Sequence, residues 1–158
     1  MYAKDFEIRW SDVDANRHLA NSAYVNFMSH TRMAFFTEKG LDLNAFKLHR
    51  IGPVVFYEHI YYFREAFLGT PLTVSLEMTG LAEDGRFFEF KHDFYDPEGN
   101  NLAHCEMMGA FIDMHTRKLT GLPPGLLNIL NSVERPADFR VLTREDTRKN
   151  ARAPKKRV

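Results

Sequence analysis

With a single cysteine, Cys105, among 158 residues, the chain can form no internal disulfide, which suits a reducing compartment. Long apolar runs are missing as well. Nothing approaches the ~18 residues of a membrane span, and Met1 to Asp5 carries no apolar leader, so a cytoplasmic protein without a membrane span is expected. Nor is there an excess of charge: 21 Lys and Arg balance 21 Asp and Glu, and composition offers no general attraction to nucleic acid. The imbalance that exists lies at the end, where seven Lys and Arg between Arg144 and Val158 outnumber Glu145 and Asp146. That segment lacks apolar periodicity and is expected to be a mobile basic tail, 144–158, behind a single domain, 1–143. No internal repeat is present.

What the chain does have is enough apolar residues, 44%, for a sizeable core. Residues Phe6 to Ser11 alternate as a half-buried strand does. Ala23 to Lys39 reads as a helix about 25 Å long, with Asn21 or Ser22 as its cap and Gly40 ending it. Its apolar residues cover most of the circumference, which predicts a buried helix. Leu41 to Arg50 is a short connection. Strands are then expected from about Val54 to Phe67, from Leu72 to Thr79, from Arg86 to Tyr95 and from Leu102 to Asp113. Turns at Leu68 to Pro71, Glu83 to Gly85 and Asp96 to Asn100 separate them. Gly109 marks a bulge or a close backbone approach in the last strand, and Leu126 to Leu130 a final helical turn. Such long strands form an antiparallel sheet that can curl round one helix, an α+β layer.

One stretch, Arg9 to Tyr24, carries candidate chemistry. A strand ends in Asp12 and Asp14, runs through a polar loop with His18 and enters a helix. The first turn of a helix exposes unpaired N–H groups. Asp and Asn there are often only turn and cap residues. A carboxylate beside those N–H groups can also serve hydrolysis of an activated carbonyl, one group activating water and the other receiving the oxyanion.

The word from Trp10 to Tyr24 is similar to the signature of the 4-hydroxybenzoyl-CoA thioesterase family of hot-dog-fold acyl-CoA thioesterases. There a strand ending in Asp-x-Asp is followed by a Gly-His loop, an Asn and a helix-entry Tyr. The resemblance covers about Phe6 to Leu130 and implies the hot-dog fold, a long antiparallel sheet wrapped around one helix, with two subunits joining sheets edge to edge. It implies acyl-CoA as substrate, coenzyme A being part of that substrate and no separate cofactor being needed. Asp14 matches the catalytic carboxylate, acting as general base or as nucleophile, and Asp12 a loop-shaping residue. The Asn21 N–H is the candidate oxyanion donor, and His18 orients the loop. Tyr24 falls at the helix entry of the substrate site. One departure is plain: Arg17 stands where relatives carry Gly.

Other residues join as substrate-binding candidates. Arg64 ends its strand where relatives often carry Arg, and is nominated for the phosphates of coenzyme A. Tyr57 and His59 are pocket candidates in an aromatic stretch that includes Phe56, Tyr61 and Phe63, which could equally be core. His92, His104 and His115 read as structural, and Cys105 as a buried inert thiol. Asp12, Asp14 and His18 taken as metal ligands lack a second histidine at helical spacing or a cysteine pair, so no metal is expected. Hot-dog hydratases pair Asp with His around a Pro-containing loop, and none occurs between Asp14 and His18. Two readings follow: an acyl-CoA thioesterase that is a homodimer or homotetramer, or a non-catalytic acyl-thioester-binding scaffold of the same fold.

Overall fold

The period-two alternation of apolar residues builds the centre of the molecule. The computed structural model describes residues 1–148 and 153–157. Its strands are β1 (Tyr2–Glu7), β2 (Ile51–Tyr62), β3 (Pro71–Ala82), β4 (Phe87–Tyr95), β5 (Asn101–Asp113) and β6 (Arg140–Leu142). They form one sheet in the order β1-β3-β4-β5-β2, antiparallel along that path, with β6 added parallel to β3. Helix α1 (Asn21–Glu38) lies in the curl of the sheet, with α2 (Leu43–His49) and α3 (Pro124–Asn131) at its margins. This is the α+β hot-dog arrangement that the resemblance implies. Among the described residues no helix is long and apolar enough to cross a membrane.

The buried residues of α1 fall at 23, 24, 27, 28, 31, 32, 35 and 36, one stripe at helical period. Val25, Asn26, Ser29 and His30 on the other side are exposed, so the helix is half-covered rather than buried all round. Phe36 in its last turn meets the rings of Phe46, Phe88, Phe90 and Phe111 at 5.8–6.0 Å. Its C-terminus closes at Gly40, whose φ of 89° only glycine adopts without strain.

Three boundaries differ from the sequence reading. The first strand ends at Glu7, because the Asp12 carboxylate accepts hydrogen bonds from the Arg9 backbone and guanidinium at 2.9–3.0 Å and bends the chain into a 3-10 turn, Trp10–Asp12. That leaves Trp10 exposed rather than in the sheet. Strand β2 ends at Tyr62, where Phe63 and Arg64 N–H groups both turn to Leu102 O, and residues 63–68 fold back towards the loop. Helix α1 starts at Asn21, so Asn21 is its first residue and not its cap. At the other end, Asp146 accepts from Arg140 Nη1 at 2.7 Å and from Thr143 N at 2.7 Å, tying down the start of the basic tail. Residues 149–152 and 158 of that tail lie outside the described residues.

Gly109 is the close approach its position suggests. A Cβ there would stand 2.4 Å from Phe88 Cζ and 2.6 Å from the backbone oxygen of Val54, opposite a register shift between Val55 and Tyr57. Backbone cannot move aside as a flexible side chain can, so Gly109→Ala should cost about 2–3 kcal/mol by overpacking. Urea denaturation measures it; an unchanged midpoint would refute the close approach.

Candidate active site

The loop between strand and helix is built from its own backbone. Val13 bridges Leu19, Asp14 N–H donates to His18 O at 2.9 Å, and Arg17 N–H donates to Asp14 O at 3.0 Å. The Asp14 carboxylate completes the turn, Oδ1 accepting from Asn16 N at 2.8 Å and His18 N at 3.2 Å. Its Oδ2 takes no hydrogen bond among the described residues, and the side chain is exposed. Thus one oxygen shapes the loop and the other remains open to solvent or substrate.

Arg17 has a φ of 62°. This is the left-handed conformation that glycine adopts freely and an L-residue adopts with strain, which gives the family's Gly at this position its physical reason. Here the backbone keeps that shape with an arginine in place.

Across the loop, His18 bridges Phe67 through the backbone. Its ring meets Phe67 edge-on at 5.2 Å, and Nδ1 lies 3.3 Å from Glu65 Oε1. The imidazole is therefore aimed by Glu65 and Phe67. Helix α1 begins after Ala20, which provides no side-chain cap. The Asn21 side chain accepts from Ser22 N at 3.0 Å. The Asn21 N–H itself has no acceptor among the described residues, as expected for a first-turn donor without a cap.

Asp14, His18, Asn21, Tyr24 and Arg64 share one open pocket of about 330 Å³ with Tyr62, Phe63 and Glu65. Tyr24 is buried against Tyr62 and Phe94 at 5.1 and 4.9 Å. Burial, with a smaller contribution from Tyr62, pushes its phenol up to about 12, so it stays protonated and forms a wall rather than a base. Tyr57 and His59 are not part of this pocket. They pair with Met108 and Glu106, their rings 5.0 Å apart. Tyr57 packs against the small cluster of Phe87, Met108 and Ala110, on the sheet face opposite α1. Sequence reasoning missed Tyr62 and Glu65. The register shift at Val55/Tyr57 decides that Tyr62, not Tyr61, faces the helix, and the residues themselves carry no signal of it. Glu65 has no motif and is recruited by the chain folding back under the loop.

Deeper on the same face lies a second polar group that the chemistry above does not use. Arg32 Nη1 stands 2.9 Å from Glu58 Oε1, an ion pair without a well-directed hydrogen bond to that oxygen. Arg32 also lies 3.5 Å from His92 Nε2, while His92 Nδ1 donates to Ser75 O at 2.8 Å. Burial and the Arg32 charge push the His92 imidazole down to about 3, so it is neutral. Cys105, buried in β5, is pushed up to about 12 by burial, then by Glu58, and is an inert thiol.

A family model described as the thioesterase-like superfamily matches residues 8–130. No curated protein matches the chain significantly. Among solved structures, the hypothetical protein SAV2348 from Staphylococcus aureus, solved in complex with CoA, is 19% identical. It aligns over 87% of this chain and 90% of its own with a TM-score of 0.76. YbaW, a probable thioesterase from Escherichia coli, is 24% identical over 82% and 96%, TM-score 0.69. Slr0204, a 1,4-dihydroxy-2-naphthoyl-CoA thioesterase from Synechocystis, is 16% identical over 85% and 98%, TM-score 0.74. At such identities the likeness is one of fold.

Proposed function

The chain belongs to the thioesterase-like superfamily, and from that membership we propose that it hydrolyses an acyl-CoA thioester to the free acid and coenzyme A. The observation that carries this reading is the meeting, in one pocket, of the open Asp14 carboxylate oxygen and the unpaired Asn21 N–H of an uncapped helix. The relative solved with CoA and the relative named for an acyl-CoA substrate support coenzyme A as carrier.

The chemistry follows from the two groups. Asp14 removes a proton from water as the oxygen attacks the thioester carbon. The carbonyl oxygen becomes an oxyanion and receives the Asn21 N–H. Collapse breaks the C–S bond, and the thiolate leaves with the proton from the Asp14 acid. In the covalent variant Asp14 itself attacks, and water then hydrolyses the mixed anhydride. General base help contributes about 10²–10⁴-fold, and one oxyanion donor about 2.7–4 kcal/mol. In this reading Arg64, which lines the pocket, meets phosphate, and Tyr24 and Tyr62, which line it too, contact the acyl group.

The non-catalytic reading has its own observation: Asp14 Oδ1 already serves as the acceptor of a loop turn, a sufficient structural employment. Coenzyme A release from a panel of short, medium, long and aromatic acyl-CoAs separates the two. Turnover of one class supports the enzyme; binding without release across the panel establishes the scaffold.

Arg17→Gly relaxes the left-handed strain, but glycine also loosens the unfolded chain, and the two offset within about 1 kcal/mol. Turnover should hold or rise with little change in melting temperature. A tenfold loss would show that the guanidinium contacts substrate.

Assembly belongs to the same proposal. Strand β2 is one edge of the sheet, and Val55, Phe56, Tyr61 and Tyr62 along it are 41–52% exposed. Unprotected apolar edges invite strand pairing, which supports a homodimer joined along β2, or a dimer of such dimers. Light scattering at micromolar concentration should give at least twice the monomer mass; a fully active monomer would overturn it.

A further inference from the structure

Helix α2 turns a leucine face outward at the end of the sheet away from Asp14. At the helical turn, Leu43, Lys47 and Leu48 fall within one arc of about 140°, on the side away from Phe46, which packs on Phe36 and Phe111 in the core. Leu43 and Leu48 are 72% and 77% exposed. The turn after β5 extends this face. Met114 N–H donates to Arg50 O at 2.7 Å, and the half-exposed Met114 side chain lies over Gly52, where a Cβ would stand 2.8 Å from its Sδ. Between helix and turn lies an apolar groove of about 620 Å³, lined by Leu43, Phe46, Ile51, Pro53 and Met114. We propose that this face docks reversibly on an anionic lipid bilayer, with Leu43, Leu48 and Met114 entering the acyl boundary and the cations around them meeting the headgroups.

The charge at this end suits that partner. Lys47 and Arg50 flank the groove, and Arg117 and Lys118 stand on the same turn as Met114. Among the described residues none of the four pairs with a carboxylate. The two carboxylates beside them are employed in capping and turn formation. Asp42 accepts from Ala45 N at 2.8 Å, and Asp113 from His115 N at 2.8 Å and Thr116 N at 2.7 Å. The basic tail leaves from the same end: Arg144 shares a groove with Arg117 and Lys118, and seven Lys and Arg fall between Arg144 and Val158.

Aliphatic side chains set among Lys and Arg fit a membrane interface, because the leucines leave water while the cations stay among anionic headgroups. A nucleic acid would be met by the cations alone, and the groove presents no exposed Phe, Tyr or Trp on which a base could stack. One weak anchor gives only marginal binding, so the charge of the tail supplies a second attraction to the same surface. None of these residues lines the Asp14 pocket, and docking therefore requires no catalysis.

Flotation of the full chain with lipid vesicles tests the face. The chain should float with vesicles of equimolar phosphatidylcholine and phosphatidylglycerol and stay behind with pure phosphatidylcholine. Salt should release it, since headgroup attraction fades within a Debye length. Leu43→Ser/Leu48→Ser should weaken partitioning about tenfold or more, and Lys47→Ala and Lys118→Ala roughly fivefold each. All four side chains are exposed, so melting temperature should hold in every variant. Failure to float with anionic vesicles, equal flotation with pure phosphatidylcholine, or unchanged flotation of the leucine variant overturns the proposal. Two other results overturn it as well. A loss of assembly mass in the leucine variant, measured by light scattering, would make the face a contact between copies of this chain. Retention on polyuridylic acid at a salt concentration that strips the chain from vesicles would make it a nucleic-acid surface.

Discussion

Asp14→Asn is expected to lower thioester turnover by about 10²–10⁴-fold, the usual worth of a positioned general base, while the fold stays intact. The asparagine Oδ1 can still accept from Asn16 N and His18 N, so the turn keeps its shape. What disappears is the oxygen that carries no internal hydrogen bond, replaced by an amide that cannot take a proton. Asp14→Ala removes both functions. It should lose the same activity and in addition about 1–2 kcal/mol of loop hydrogen bonding. The comparison separates chemistry from loop geometry through two readouts, turnover and melting temperature. Full turnover in the Asn variant would remove Asp14 from the reaction. Loss of turnover together with a large fall in melting temperature in that variant would make its role structural.

A stability effect of similar weight is expected at Arg32. Its guanidinium is buried beside Glu58 and His92. Arg32→Ala leaves a carboxylate without its counter-charge and the His92 Nε2 without its donor. Breaking one partner of a buried pair costs about 3–5 kcal/mol, which for a domain of this size lowers the melting temperature by roughly 6–20 °C. Arg32→Met with Glu58→Leu removes both charges, and should recover most of the loss, because the desolvation cost goes with them. Equal instability of the single and double variants would show that packing of the arginine stem, not charge, is what matters.

His92 adds a pH signature to the same cluster. Burial and the Arg32 charge hold it at about 3 in the folded chain, below the ordinary imidazole value of 6.5, so the unfolded chain binds the proton first. The stabilisation is whole above pH 6.5 and is lost as pH falls towards 3. His92→Gln should flatten that part of the stability profile in urea titrations; an unchanged slope would remove His92 from the acid response.

The legibility of this protein in its sequence follows the range over which each feature is encoded. The alternation from Leu72 to Met78 and from Phe88 to Phe94 sets which side chains enter the core, because successive strand residues point to opposite faces whatever lies around them. The order Asp14, His18, Asn21, Tyr24 is likewise local: a short loop leading into a helix can only place those residues near one another. Gly109 announced its close approach because a strand has few other uses for glycine.

Long-range decisions were not legible. Tyr57 and His59 look like pocket residues in a list of aromatics, yet their register with Met108 and Glu106 puts them across the sheet from Asp14. A one-residue shift at Val55/Tyr57 changes the face of every side chain after it, and no neighbour in sequence records it. Glu65 reaches His18, and Arg32 reaches Glu58, only because separate segments fold against each other. The sequence by itself determined the strands, the helix and the candidate catalytic loop, since short-range sterics and periodicity suffice for those. The tertiary structure alone decided that the helix starts uncapped at Asn21, which residues complete the pocket, and where the buried charges lie, because each depends on contacts between residues far apart in the chain.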